Sequence, residues 1–284
     1  MLSFNEVTLV IVSYKSKKKI LEFLKKISIN YRIIIIENSD DKTIKDEIKK
    51  SYKNVEILFT NNIGYGCSAN YARTKIKTDY FFLMNPDLEG IDSNIIENFL
   101  FYAKKLNDKF SCIGPRYKNI GSKTLKQSDS KTEIGYVNAI SGAAMFFNTK
   151  KFDFIGGFDG NIFLYFEETD YCKRGEKLKL YSYQLNSIKI NHNVGTAVEY
   201  TSEREKNDIQ KLCNWHFIWS KYYFYKKHYG ILISILIFFP IILRSIIKII
   251  IYKLTKNLNN EEKYKNRLDG LLTSICGKKS YKRI

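Results

Sequence analysis

The chain has 284 residues, 44% of them hydrophobic and 27% charged, which is enough for one large domain, or a domain plus an appendage, with a sizeable core. Net charge is +18, with +7 on residues 1–200 and +11 on residues 201–284. The basic tail suits a polyanion, nucleic acid or anionic lipid, although a chain rich in Lys, Asn, Ile and Tyr also gains such charge from an AT-rich genome. Five cysteines stand singly at Cys67, Cys112, Cys172, Cys213 and Cys276, so there is no CxxC pair and no disulfide framework, which favours a reducing compartment. The apolar run Val7–Val12 after Glu6 is too short for a signal peptide and reads as a buried strand.

In chain order, VTLVIVSY (7–14) is a β-branched run suited to a strand covered on both faces. Lys17–Ile29 has helical apolar spacing at Ile20, Leu21, Phe23, Leu24 and Ile27. Arg32–Ile36 predicts a second buried strand, 46–52 a polar helix and Val55–Phe59 a third strand. This alternation argues for a doubly wound, mostly parallel sheet, in which ligands bind at the carboxyl ends of the strands. Those ends carry Ser13 and Tyr14, then Glu37 to Asp40, then Asn61 to Gly66.

Gly64-Tyr65-Gly66-Cys67-Ser68-Ala69 matches G-x-G-x-x-A, with Asp87 at the distance of a ribose-binding acid. It follows the third strand, not the first, so a close-packed turn is the better reading than a dinucleotide site. Tyr80–Met84 predicts a fourth strand ending in Asn85-Pro86-Asp87, where proline stops the strand and sets the aspartate at its end. That carboxylate can hold a divalent cation or simply make a turn. Helix is expected over 94–106, irregular structure from Ile113-Gly114-Pro115, and a polar mobile loop over 117–136. The small residues Ser141 to Ala144 suit close approach and lead into an apolar strand. Short strands are expected at 181–184 and 187–190, before Asn191-His192-Asn193-Val194-Gly195-Thr196.

The densest stretch is GGFDGNIFLYFEETDYCKR (156–174). Glu167, Glu168 and Asp170 come after an apolar run, and like charges in a half-dry site raise one another's pKa. The plain alternative is the first turn of a helix, where acids favour the dipole.

Together VTLVIVSY, IIIIENSDD, NNIGYGCSAN, FFLMNPD, SGAAMFF, GGFDGNIFLYFEETDYCKR and HNVGT, in that order, resemble the family 2 glycosyltransferases of the GT-A fold, in particular the rhamnosyltransferase-like branch. The resemblance spans about Val7 to Thr196. It implies an α/β fold of the GT-A type, with a Rossmann-like, mixed, mostly parallel sheet flanked by helices, over 1–204. A basic and apolar helical, membrane-associating region is expected over 205–284. The resemblance further implies a nucleotide-sugar site from Ser13, Tyr14, Glu37, Asn38, Ser39, Asn62, Gly64, Asn70, Asn85 and Asp87. Asp87 is the implied ligand of Mg²⁺ or Mn²⁺, and His192 the residue that completes the metal site. The family reads Glu-Asp-x-Asp where this chain has Glu167-Glu168-Thr169-Asp170, so Glu168 takes the position of the base, with Asp170 and Glu167 still in contention. Glu37 stands where the family has an aspartate facing the nucleotide base, a change that bears on donor preference.

The implied activity is inverting, metal-dependent transfer of a sugar from a nucleotide-diphosphate sugar, such as dTDP-rhamnose, to a saccharide or lipid-linked acceptor in cell-surface polysaccharide synthesis. The alternative is a non-catalytic membrane-surface binding protein on a degenerate glycosyltransferase fold. The chemistry needs a cation against the leaving phosphates, a base for the acceptor hydroxyl and a dry pocket that aligns the two.

Residues 231–252 reach spanning length only by including Arg244 and Lys248. The favoured reading is a helix or helix pair lying in the cytoplasmic leaflet, with 215–253 against an anionic surface; a true span and a buried core helix are the alternatives. The expected location is cytoplasmic, on the inner face of the cell membrane. No nucleic-acid module accompanies the aromatic and basic residues, so nucleic acid is not expected as a partner.

Overall fold

The computed structural model describes residues 5–27, 31–120 and 126–283. The chain divides into two compact units, Met1–Asp159 with Glu167–Glu199, and Gly160–Phe166 with Tyr200–Ile284.

The first unit alternates strands and helices as β1 (Val7–Ser13), α1 (Lys17–Leu24), β2 (Arg32–Glu37), α2 (Thr43–Ser51), β3 (Val55–Phe59), α3 (Tyr65–Arg73) and β4 (Tyr80–Met84). After these come β5 (Leu88–Glu89), α4 (Ser93–Lys105), β6 (Phe110–Tyr117), β7 (Ile134–Val137), β8 (Ala144–Asn148), α5 (Thr149–Ile155), α6 (Glu167–Lys177) and β9 (Tyr181–His192). The strands form one sheet in the order β3-β2-β1-β4-β8-β6-β9-β5, with β7 paired to β9. β1 pairs in parallel with both β2 and β4, and β2 with β3. β8 runs antiparallel to β4 and β6.

Side chains alternate along β1 between two cores. Val7, Leu9 and Ile11 pack with Ile20 and Phe23 of α1, Ile48 of α2 and Phe99 of α4. Val10 and Val12 face Ala69 and Ala72 of α3, Phe152 of α5 and Tyr171 of α6. Both faces are covered, which is why the strand reads as an unbroken apolar run.

Two pairings bring distant chain to the sheet's carboxyl edge. The β4–β8 register matches Met84 with Ala144, and the Asn85 N–H donates to the Ala143 carbonyl at 2.9 Å. The short β5–β9 ladder matches Leu88 with His192, so His192 lies next to Asp87.

The expected irregular region at Ile113-Gly114-Pro115 is instead the middle of β6. A Cβ on Gly114 would lie 2.3 Å from Ile140 Cγ2, so the glycine admits a close neighbour, and the ladder to β9 shifts register after Pro115. The two expected short strands after 180 are one strand, β9: β6 pairs with both of its halves across a register shift, β7 pairs with the first half and β5 with its end. Residues 28 and 29 of the expected first helix, and 121–125 of the expected mobile loop, lie outside the described residues.

In the second unit, α7 (Glu203–Tyr229), α8 (Ile231–Leu254) and α9 (Leu258–Ile275) pack on one another. The Trp215 indole N–H donates to Asp269 at 2.7 Å, and Ser274 Oγ donates to the Trp219 carbonyl at 3.0 Å. α8 is a single helix with Pro240 inside it. It buries only Ser234, Phe238 and Ser245, while Leu232, Leu236, Phe239, Ile247 and Leu254 are exposed.

Gly175 sets how closely α6 lies on β6. A Cβ there would sit 2.6 Å from Ser111 Cβ and 3.0 Å from the Leu180 carbonyl. Replacing a helical glycine with alanine ordinarily stabilises by about 1 kcal/mol. Here overpacking reverses the sign, and Gly175→Ala is expected to destabilise by about 1–3 kcal/mol. Urea unfolding monitored by circular dichroism checks this; a midpoint at or above wild type contradicts it.

Candidate active site

The carboxyl edge of β1 and β2 is built around Glu37, which is buried. Its carboxylate accepts from the Ser13 hydroxyl, from the Ser39 N–H at 2.9 Å and from the Lys15 N–H at 3.3 Å. Asn38 Oδ1 accepts from Thr60 Oγ1 at 2.6 Å and lies 2.9 Å from Ser68 Oγ on α3. Ser13, Glu37, Asn38 and Ser39 are therefore one buried polar cluster, with Tyr14 half-buried on the loop after β1.

Gly64 precedes α3 with a φ of 90°, a conformation that favours glycine. Asn62, half-buried, lies two residues earlier. A Cβ on Gly66 would meet Phe158 Cβ at 3.0 Å and Glu167 Cβ at 3.3 Å, so the bare backbone of α3 lets the start of α6 approach. Gly64-Tyr65-Gly66 is thus a packing turn. Asn70 faces a different partner: its Nδ2 donates to the Phe158 carbonyl at 2.8 Å and its Oδ1 accepts from the Phe158 N–H at 2.9 Å. Both ends of that amide clamp the segment after α5.

Asn85, half-buried, and buried Asp87 lie just past β4. Asp87 Oδ1 lies 3.3 Å from His192 Nε2. Neither Asp87 Oδ1 nor His192 Nδ1 has a hydrogen-bond partner among the described residues, although both atoms are buried. His192 is held by its backbone, which exchanges hydrogen bonds with the Asn119 side chain at 2.9 and 3.0 Å. The Tyr117 ring stands 6.0 Å from the imidazole, and its buried hydroxyl has no partner either. Burial, with Asp87 adding to it, pushes the Tyr117 phenol well up and keeps it neutral.

The acids of the dense stretch form the first turn of α6. The chain enters that helix through Tyr165 and Phe166, both with left-handed φ (66° and 69°), an unusual pair for non-glycine residues. The three carboxylates have separate surroundings. Asp170 Oδ2 accepts from Arg174 Nε at 2.8 Å, and the same guanidinium donates to the carbonyls of Ile155 and Gly157. Asp170 is therefore part of a strut between α5 and α6. Glu167 is buried with Oε2 unpartnered; burial, then repulsion from Glu168, raises its pKa well above 4.5. Glu168 is half-buried, and burial raises its pKa as well.

Tyr65 joins the two halves. Its hydroxyl donates to the Gly142 carbonyl. Burial, then the charges of Glu167, Glu168 and Asp87, pushes its pKa well up. A Cβ on Gly142 would lie 3.6 Å from Tyr65 and 4.0 Å from Glu168 Cγ, so the Ser141–Ala144 turn closes against both. Tyr65 carried a signal in its flanking glycines; Tyr117 carried none, since only the β6–β9 pairing brings it beside His192.

Among the described residues no group of three or more His, Cys, Asp and Glu side chains is arranged to hold a metal ion. The pair Asp87 and His192 nonetheless fits a share of one. Two donors bonded at about 2.1 Å to one cation at right angles lie about 3 Å apart, close to the 3.3 Å found here. Magnesium sites of this kind are commonly finished by substrate phosphates and water, and a buried carboxylate oxygen without a partner is the expected signature of a missing ligand.

No family model matches the chain. It is 24% identical over 243 residues to the rhamnosyltransferase WbbL of Escherichia coli K12, covering 74% of this chain and 89% of that one. It is 22% identical over 212 residues to the low-salt glycan biosynthesis hexosyltransferase Agl10 of Haloferax volcanii, covering 66% and 67%. Among solved structures, the mannosyltransferase PcManGT of Pyrobaculum calidifontis, in complex with GDP-Man and Mn²⁺, superposes with a TM-score of 0.60 at 9% identity, covering 96% of this chain and 88% of that one. S. aureus TarS 1-349 with UDP gives 0.54 at 11% identity, covering 96% and 92%. GalNAc-T7 with UDP, GalNAc and Mn²⁺ gives 0.57 at 12% identity, and the chain spans 50% of its length. The sheet order, the polar carboxyl edge and these similarities converge: the fold is GT-A, and the chain is similar to family 2 glycosyltransferases, in particular to a rhamnosyltransferase.

Proposed function

We propose that the protein is an inverting, metal-dependent hexosyltransferase, using a nucleotide-diphosphate sugar such as dTDP-rhamnose and a saccharide or lipid-linked acceptor in cell-surface polysaccharide synthesis. The observation that carries this reading is the gathering of Asp87, Glu167 and Glu168 around Tyr65, with buried polar atoms of Asp87, His192 and Glu167 left unpartnered. Such atoms cost free energy in the unliganded protein and are offset when a ligand supplies their missing bonds.

The nucleotide lies along Ser13, Tyr14, Glu37, Asn38, Ser39 and Asn62, with Gly64, Asn70 and Asn85 shaping the edge. Asp87 and His192 hold the divalent cation, Mg²⁺ or Mn²⁺, which would offset charge developing on the leaving diphosphate. Glu168 takes the proton from the acceptor hydroxyl, because Asp170 is engaged by Arg174 and Glu167 is the more deeply buried. Direct attack by that hydroxyl inverts the anomeric centre. The catalytic domain is 1–204, and 205–284 associates with the inner face of the cell membrane. α8 exposes most of its apolar side chains, and at 24 residues it has the length and hydropathy of a span. Its neighbour α9 carries Glu262, Lys263, Lys265 and Asp269 in contact with solvent, which favours a helix lying in the leaflet over one crossing it.

Asp87→Ala, or EDTA on the wild type, is expected to lower transfer by about 100-fold or more in a radiolabelled-sugar assay; undiminished transfer removes the cation. Glu168→Gln lowers kcat by about 10²–10⁴-fold, while Glu167→Gln retains turnover. The base must be ionised, so wild-type activity rises with pH through a limb above the ordinary carboxylate range, as the raised carboxyls require. Donor binding without transfer to any acceptor would favour the non-catalytic reading.

A separate outcome concerns stability. The folded state holds Glu167 protonated beyond its ordinary pKa of 4.5, so burying its ionised form costs stability that grows as pH rises through and above that value. Glu167→Gln is expected to raise Tm at about pH 8 and leave it unchanged at about pH 4. Equal Tm values of variant and wild type at both pH values would show that Glu167 ionises without penalty.

A further inference from the structure

The chain leaves the first unit after Asp159 for the short segment Gly160–Phe166 and returns to it at Glu167. That segment belongs to the second unit, where one face of α7 holds its last four residues. His216, Ser220 and Phe224 follow one another at four-residue steps, with Phe217 beside them, so they share a side of the helix.

The contacts run in chain order. The Phe163 ring lies 4.5 Å from the His216 imidazole and 3.8 Å from the Arg283 guanidinium. Ser220, fully buried, donates from Oγ to the Leu164 carbonyl at 2.9 Å. The Tyr165 ring stands 5.6 Å from Phe217, and the Phe166 ring 5.7 Å from Phe217 and 5.6 Å from Phe224. His216 is itself fastened, since its Nε2–H donates to the Lys282 carbonyl and its Nδ1 accepts from Ser280 Oγ, each at 2.9 Å.

The held residues include the two with left-handed φ, Tyr165 at 66° and Phe166 at 69°. A Cβ is crowded in that conformation, which persists only where the surroundings over-determine it. One hydrogen bond and three ring contacts from α7 supply that determination. Glu167 and Glu168 come next in the chain. The φ angles of Tyr165 and Phe166 set the direction in which the backbone enters α6, so their relaxation would swing its first turn, and a reacting group misplaced by about 1 Å can cost about 100-fold in rate.

We propose that Ser220, Phe217 and Phe224 are positioning residues for Glu168, acting through the backbone of residues 163–166 and not by touching substrate. This role rests on the reading of Glu168 as the base.

The test compares Ser220→Ala with Ser274→Ala in the full chain. The second variant deletes another hydroxyl-to-carbonyl bond of the same unit, the one to Trp219. Hydrogen exchange read by mass spectrometry reports on the peptide holding Tyr171 and Cys172, whose amides close the first turn of α6. That peptide is expected to exchange about tenfold faster in S220A than in wild type, and at the wild-type rate in S274A. In turnover of radiolabelled dTDP-rhamnose with Mn²⁺, hydrolysis included, S220A is expected to lose about tenfold in kcat with donor KM within about twofold, and S274A to match wild type. F166A and F166G remove the same ring, but only glycine takes the left-handed φ without a steric cost, so F166G is expected to turn over about threefold faster than F166A. Equal behaviour of S220A and S274A, or faster exchange in S220A with kcat unchanged, overturns the positioning role and leaves the proposed function intact. F166A equal to F166G overturns the left-handed entry as the link. Full turnover by Glu168→Gln overturns the base, and with it the target of the grip. Wild type inactive on dTDP-rhamnose overturns that donor, and the exchange rates alone then decide whether α7 holds the turn.

Discussion

Buried polar groups without partners are the constraint on which the first unit turns. Asp87 and Glu167 each bury a carboxylate oxygen that makes no hydrogen bond, and Tyr117 and His192 each add an unpartnered polar atom. Leaving such a group unsatisfied costs about 1–3 kcal/mol, and more when it is charged. The sheet that holds these residues has to be stable enough to absorb that cost. The apolar run of β1, packed on two cores at once, is where much of that stability resides. The raised pKa values of Glu167 and Glu168 follow from burial, to which repulsion from Glu168 adds at Glu167.

Around these costly groups the protein uses its satisfied polar contacts to fix position. Arg174 reaches Asp170 and the carbonyls of Ile155 and Gly157, and Asn70 holds both backbone groups of Phe158. Together they fix the chain before and within α6. Gly66 and Gly175 let that helix lie close to α3 and β6 where a side chain would hold it off. The acids of α6 thus divide the labour: Asp170 braces the helix, while buried Glu167 and half-buried Glu168 lie near Tyr65.

The three C-terminal helices solve a different problem. α8 leaves most of its apolar surface uncovered by its own unit, while α9 beside it is polar. Large exposed apolar patches are uncommon on soluble monomers, and the proposed membrane association rests on this one. Pro240 sits in the helix interior without an N–H to donate. Ser234 and Ser245, by contrast, return their hydroxyls to carbonyls one turn back.

The local pattern of the sequence was enough to give β1 and β4 almost residue for residue, because a strand buried on both faces must be apolar throughout, and it also gave half-buried β3. It gave the parallel order of the early strands through their alternation with helices, and it marked Asp87 and the Glu167–Asp170 cluster through residue type and position, and His192 through the family resemblance. It could not give β6, where Gly114 and Pro115 read as breakers until Ile140 and β9 are seen to require and tolerate them. Nor could it separate Asp170 from Glu167 and Glu168, since three acids in one turn look alike until Arg174 claims one. Tyr117 was invisible as a site residue for the same reason: its place beside His192 depends on a strand far away in the chain. Apolar periodicity and turn chemistry are local, so the sequence alone determined the strands, the helices and the edge where a ligand would lie. Which carboxylate is paired and which is left dry are set by contacts between distant segments, and only the tertiary structure decided them.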